Sequence, residues 1–190
     1  MNKKITTYQI TVTALMTALM CILGPISVPV GAVPVSLTVF VILLSVMLLG
    51  TRLGTISYIL YLILGAVGLP IFSGYSGGFA KLGGPTGGYL IGFIGLALIT
   101  GLFIDILRSK PIFTIIGMVL GVIFDYLLGT IWFVILMKCG VFYALTVCVF
   151  PFIIFDAIKI ALAFMLGTVI RTQLVKAGLI VNKVKGSAAK

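Results

Sequence analysis

Six apolar runs, broken by glycine, proline and isolated charges, decide what this chain can fold into. They cover about residues 8–23, 36–49, 55–69, 87–107, 112–137 and 150–170. Backbone amides in hydrocarbon must find partners within their own segment, so such runs cross a bilayer as helices, each needing about 20 apolar residues. Only 8% of the 190 residues are charged, against about 25% in a soluble domain. The expected fold is an all-α membrane protein, a six-transmembrane-helix bundle with a Gly-rich capping loop on its outer face. Residues 1–180 form one domain, and residues 181–190 are a basic cytoplasmic tail, native or appended.

The charges set the orientation. Six spans put both termini on one side, with Lys3, Lys4, Arg52, Arg108, Lys110, Arg171, Lys176, Lys183, Lys185 and Lys190. The other side holds Lys81 and Lys138. Basic loops stay in the cytoplasm, so both termini are expected there, in a multi-pass protein of the cell membrane. Five or seven spans would scatter these residues. Lys3-Lys4 before an apolar run is also compatible with a signal peptide, whose removal would spoil the pattern. The net charge of +10 is therefore topological: its partners are lipid headgroups, and no nucleic acid is implied.

Histidine and glutamate are absent, which removes the usual zinc ligands and general bases. No metal, cofactor or enzymatic role is expected. Cys21, Cys139 and Cys148 sit in apolar runs and read as small hydrophobes. No Gly-x-x-x-x-Gly-Lys-Ser/Thr occurs, so any ATP-driven transport needs another subunit.

Asp156 and Lys159 lie three residues apart in the last apolar run and share a helical face. Charges at membrane depth face a protein interior or a cavity and mark a functional site by default. One is acceptor-only and the other donor-only, which suits a small polar ligand. At about 1.5 Å rise per residue they lie roughly 10–15 Å below the outer surface. Asp125, in the middle of the fifth run, faces the same cavity or forms a packing ion pair with Lys159. Asp105 reads as a surface partner of Arg108.

The stretch from Ser73 to Gly88 is Gly-rich and lies outside. A loop this long serves as a lid or binding loop, or is a plain flexible loop. It contains Lys81 and ends on Gly84-Pro-Thr86-Gly87-Gly88, which opens the fourth span. Glycines at a helix N-terminus let a carboxylate approach free N–H groups. Tyr89 and Phe93, one turn on, wall a pocket. Ala14 and Ala18 on the first span, and the pairs Gly88/Gly92 and Gly117/Gly121, offer close helix packing.

Taken in order, Val33-Pro-Val-Ser-Leu-Thr38, Leu64-Gly-Ala-Val-Gly-Leu-Pro-Ile-Phe-Ser-Gly74, Gly84-Pro-Thr-Gly-Gly-Tyr-Leu-Ile-Gly-Phe93 and Phe155-Asp-Ala-Ile-Lys159 resemble the BioY family, the biotin-specific substrate-binding (S) components of energy-coupling-factor (ECF) transporters. The resemblance covers nearly the whole chain. One position departs: where the family often has Gln, this chain has Thr38. The resemblance implies a six-helix bundle that captures biotin from outside and works with an ECF membrane scaffold subunit and two ATPase subunits. It implies that Ala14 and Ala18 dock the scaffold. Biotin fits the residues: Asp156 accepts from the ureido N–H groups, Lys159 donates to the carbonyl, and Lys81 with Gly87-Gly88 receives the carboxylate. The opposite orientation, with Lys159 on the carboxylate, stays open. Rival functions are an S component for another small vitamin and an ion-coupled transporter, though the inverted repeats of the latter are not visible.

Overall fold

The computed structural model describes residues 6–30, 33–106 and 111–178. The described residues contain seven α-helices and one two-stranded sheet. Lys3, Lys4, Arg108, Lys110, Lys183, Lys185, Lys190 and the 181–190 tail lie outside them.

Helix α1 (Thr7–Leu23) starts on a capping box between Thr6 and Gln9, which satisfies donors that have no partner in the first turn. It buries Thr13, Met16, Thr17 and Met20 against α2 and leaves Ala14, Leu15 and Ala18 outward. Thr17 Oγ1 donates to the Ser57 carbonyl at 3.0 Å. Strands β1 (Ser27–Val30) and β2 (Val33–Ser36) follow as an antiparallel hairpin in which Pro29 pairs with Pro34. Each strand is an edge, where a missing N–H is tolerated.

Helix α2 (Thr38–Ala66) is interrupted at Gly50, where φ is 80°, a conformation open to glycine. A Cβ on Gly54 would lie 2.8 Å from the Val46 Cα. Residues eight apart on a straight helix are about 12 Å apart, so the chain doubles back at Gly50 and α2 is a helical hairpin. The sequence predicts a tight turn over residues 50–54 between two spans, and the reversal falls at Gly50 within it. The ends on either side are satisfied at once. Asp105 accepts from the Thr51 N–H at 3.0 Å and from its hydroxyl at 2.6 Å. Arg171 donates to the Met47 carbonyl at 3.1 Å. An anion thus meets a helix N-terminus and a cation a C-terminus, each the favourable sign. Asp105 therefore serves the reversal, while its expected partner Arg108 lies outside the described residues.

The long loop is folded. Phe72 packs on Tyr61 and Gly65 and bridges to Ser76. Gly74 N–H reaches the Pro25 carbonyl at 3.1 Å, and a one-turn helix, α3 (Phe79–Leu82), follows. Helices α4 (Gly87–Ile106) and α5 (Pro111–Met137) then pack antiparallel through small residues. Gly88 faces Trp132, Gly92 faces Asp125, Gly117 faces Phe103 and Gly121 faces Thr100. The apolar run at Val141 is a separate helix, α6 (Val141–Cys148), ahead of α7 (Phe150–Lys176). Tyr58, Tyr61, Phe72, Leu96 and Met118 are fully buried in the main core. Helices α2, α4, α5 and α7 are long and apolar enough to cross a membrane, and α1 is apolar but shorter.

Candidate functional site

The β-hairpin, the loop, α6, and the adjoining ends of α2, α4, α5 and α7 meet at one end of the bundle. They surround a cavity that is partly open to the outside. Its walls are mostly apolar and aromatic: Val33 and Pro34 of β2, Val39 and Tyr61 of α2, Tyr89, Leu90 and Phe93 of α4, and Phe152 of α7. Phe93 stands edge-on to Tyr58 with ring centroids 5.9 Å apart, while the Tyr58 hydroxyl holds the Leu90 carbonyl at 2.5 Å. These contacts fix the wall.

The polar pole lies on α7. Pro151 sits in the first turn of this helix, where its missing N–H is no loss. Two turns on, Asp156 and Lys159 project into the cavity, 4% and 7% exposed. Lys159 Nζ donates to Asp156 Oδ1 at 2.8 Å. Tyr126, from α5, donates its hydroxyl to Asp156 Oδ2 at 2.5 Å. Lys159 thus pairs with its own helical neighbour, and no ion pair joins it to Asp125 among the described residues.

Asp125 is 2% exposed and lines the same cavity, yet its Oδ1 has no hydrogen-bond partner among the described residues. Gly92 makes room for it, since a Cβ there would lie 2.3 Å from this oxygen. Thr86 Oγ1 is a second buried, unpartnered atom lining the cavity. Buried polar atoms normally find partners, so two such atoms facing one cavity suit an occupant with matching polar groups.

Of the residues singled out in the sequence, Asp156, Lys159, Asp125, Thr86, Tyr89 and Phe93 come together here. Thr38, the departure from the family pattern, also lines the cavity. Gly84, Gly87, Gly88 and Lys81 are not among the lining residues. The glycines are needed for contact of another kind. A Cβ on Gly87 would lie 1.7 Å from the Leu82 carbonyl oxygen, and one on Gly88 would lie 2.2 Å from the Trp132 Cβ. Trp132 Nε1 also donates to the Gly84 carbonyl at 3.0 Å, so this segment is clamped onto α5. Lys81 sits half-buried on α3. Ala14 and Ala18 are exposed on α1, away from the lining residues. Tyr126 was not foreseen: a tyrosine in an apolar run carries no mark that it will reach Asp156, and its place beside Asp125 was the only hint.

The model of the BioY family matches residues 1–176. A probable biotin transporter BioY of Pyrococcus horikoshii is 38% identical over 159 residues, covering 84% of this chain and 93% of that protein. A biotin transporter BioY of Thermotoga maritima is 38% identical over 160 residues, again covering 84% and 93%. Among solved structures, the S-component for biotin from an ECF-type ABC transporter superposes with a TM-score of 0.84 at 32% identity, covering 91% of this chain and 95% of that one.

Proposed function

The chain belongs to the BioY family, and on that premise we propose that it is the biotin-binding S component of an ECF transporter. Membership makes it a multi-pass membrane transport component and not an enzyme. The observation that carries the ligand assignment is the buried Asp156–Lys159 pair opening into an aromatic cavity. A ureido ring offers two N–H donors and one carbonyl acceptor. Asp156 accepts from the donors, Lys159 donates to the carbonyl, and the Asp125 carboxylate supplies a further acceptor. Phe93, Tyr89 and Phe152 enclose the thiophane ring. The carboxylate tail lies toward Thr86, away from Asp156 and Lys159. The folded Gly-rich loop and the β-hairpin cap the site.

Six membrane crossings follow if α1, the two halves of α2, α4, α5 and α7 each cross once. The Gly50 reversal supports this count. Arg52, Arg171 and Lys176 lie toward the end opposite the cavity, which supports cytoplasmic termini and an outward-facing site. Residues 1–180 act as one domain. Ala14 and Ala18 form an unobstructed small-residue face on which the scaffold subunit docks, and two ATPases supply the energy.

The test is competition binding on the purified chain. Biotin is expected to saturate one site, unlabelled biotin to displace it, and other water-soluble vitamins not to. Displacement by a different vitamin at lower concentration than biotin would overturn the ligand assignment.

A further inference from the structure

Resting on the reading that the cavity takes biotin, we infer that Tyr126 is a positioning residue that decides which end of the ligand meets Asp156 and Lys159. Tyr126 comes from α5 and reaches across to α7, where its hydroxyl donates to Asp156 Oδ2 at 2.5 Å. Lys159 donates to the other oxygen at 2.8 Å. Asp156 is therefore held by one donor on each oxygen, and it cannot turn to present both to Lys159. An ionised carboxylate has about four lone-pair sites, so each oxygen can still accept one ligand donor.

The commitment of the Tyr126 hydroxyl proton has a second effect. Toward the cavity, which Tyr126 lines, the phenol oxygen can now only accept. The pole thus presents acceptor positions from Asp156 and Tyr126 beside a single donor, Lys159. A ligand carboxylate has no donor and would face the Asp156 charge and the Tyr126 lone pair. A cyclic urea, with an N–H on either side of a carbonyl, matches the pattern. The ureido end goes to α7 and the carboxylate tail to the mouth.

The test compares biotin, biotin methylated on a ureido nitrogen, and biotin amide, against the wild-type chain, Tyr126→Phe, Asp156→Asn and the double variant. Thermal unfolding of each unliganded protein is measured alongside. Wild type is expected to bind biotin amide nearly as tightly as biotin and to lose about ten-fold or more on ureido methylation. The reverse order overturns the orientation even if no variant folds. Tyr126→Phe keeps the ring and is expected to weaken biotin and biotin amide alike by about ten- to hundred-fold, as for a bond to a charged group. In the Asp156→Asn background the same change should add less than about two-fold, because it acts through that carboxylate. An equal loss in both backgrounds, or none in either, refutes the positioning role while a strong Asp156→Asn effect leaves the biotin reading standing. A wild-type chain indifferent to biotin, or an Asp156→Asn variant with unchanged affinity, refutes the underlying reading instead.

Discussion

Replacing Gly92 by alanine adds one methyl group at the point where α4 meets Asp125. Its carbon would lie 2.3 Å from Asp125 Oδ1 and 3.3 Å from Asp125 Cα. Carbon and oxygen settle at about 3.3 Å or more, so the carboxylate must move by about 1 Å. It is the flexible end of its side chain and can rotate, while the backbone gives by a few tenths of an ångström. The folded state loses little, because alanine also gains roughly 0.5–1 kcal/mol over glycine within a helix. The net change in stability is expected to stay within about 1 kcal/mol. Binding fares differently. A buried ligand donor left without its acceptor costs roughly 1–3 kcal/mol, and every 1.4 kcal/mol is about ten-fold in affinity. Gly92→Ala should therefore weaken biotin by about ten-fold or more while leaving the melting temperature nearly unchanged. Titration calorimetry and thermal unfolding on the same detergent-purified sample measure both. Affinity within two-fold of wild type, with Asp125 shown displaced, would refute a role for that carboxylate in holding the ligand.

Gly88→Val puts its Cβ 2.2 Å from the Trp132 Cβ, so it should lower the melting temperature and weaken biotin and biotin amide by the same factor; a loss confined to biotin would instead mark this helix end as the reader of the carboxylate. Ala14→Trp with Ala18→Trp alters a face remote from the cavity. It should leave biotin binding by the isolated chain unchanged but abolish co-purification with scaffold and ATPase subunits, and with it ATP-dependent uptake in cells. Normal uptake by that variant would exclude the face as the docking site.

The apolar runs were legible because hydrocarbon admits few backbone solutions. Asp156 and Lys159 were legible because their spacing alone puts them on one face, and Tyr89 and Phe93 for the same reason. The β-hairpin was not legible. Val28, Pro29, Pro34 and Val35 pair only because both strands are edges, and prolines in so short a stretch argue against strands. The sharpness of the Gly50 reversal depends on Asp105 and Arg171, which are distant in sequence. The glycines of 84–88 fit either a ligand or a neighbouring helix equally well by composition, and only the position of Trp132 discloses the second. Tyr126 depends on how α5 is rotated relative to α7, a tertiary quantity that local pattern does not encode.

The proposed function rests on Asp156 and Lys159 holding biotin. Its most direct measurement is a biotin titration of the purified chain beside Asp156→Asn and Lys159→Met, followed by the fluorescence of the single tryptophan, Trp132, or by radiolabelled ligand. Removing one partner of a buried hydrogen-bonded charge pair costs about 2–5 kcal/mol, or roughly 30- to several-thousand-fold in affinity. One saturable site in the wild type and losses of that size in both folded variants are the predicted result. Near-native affinity in both would rule out that role and leave the pair as a packing element of α7.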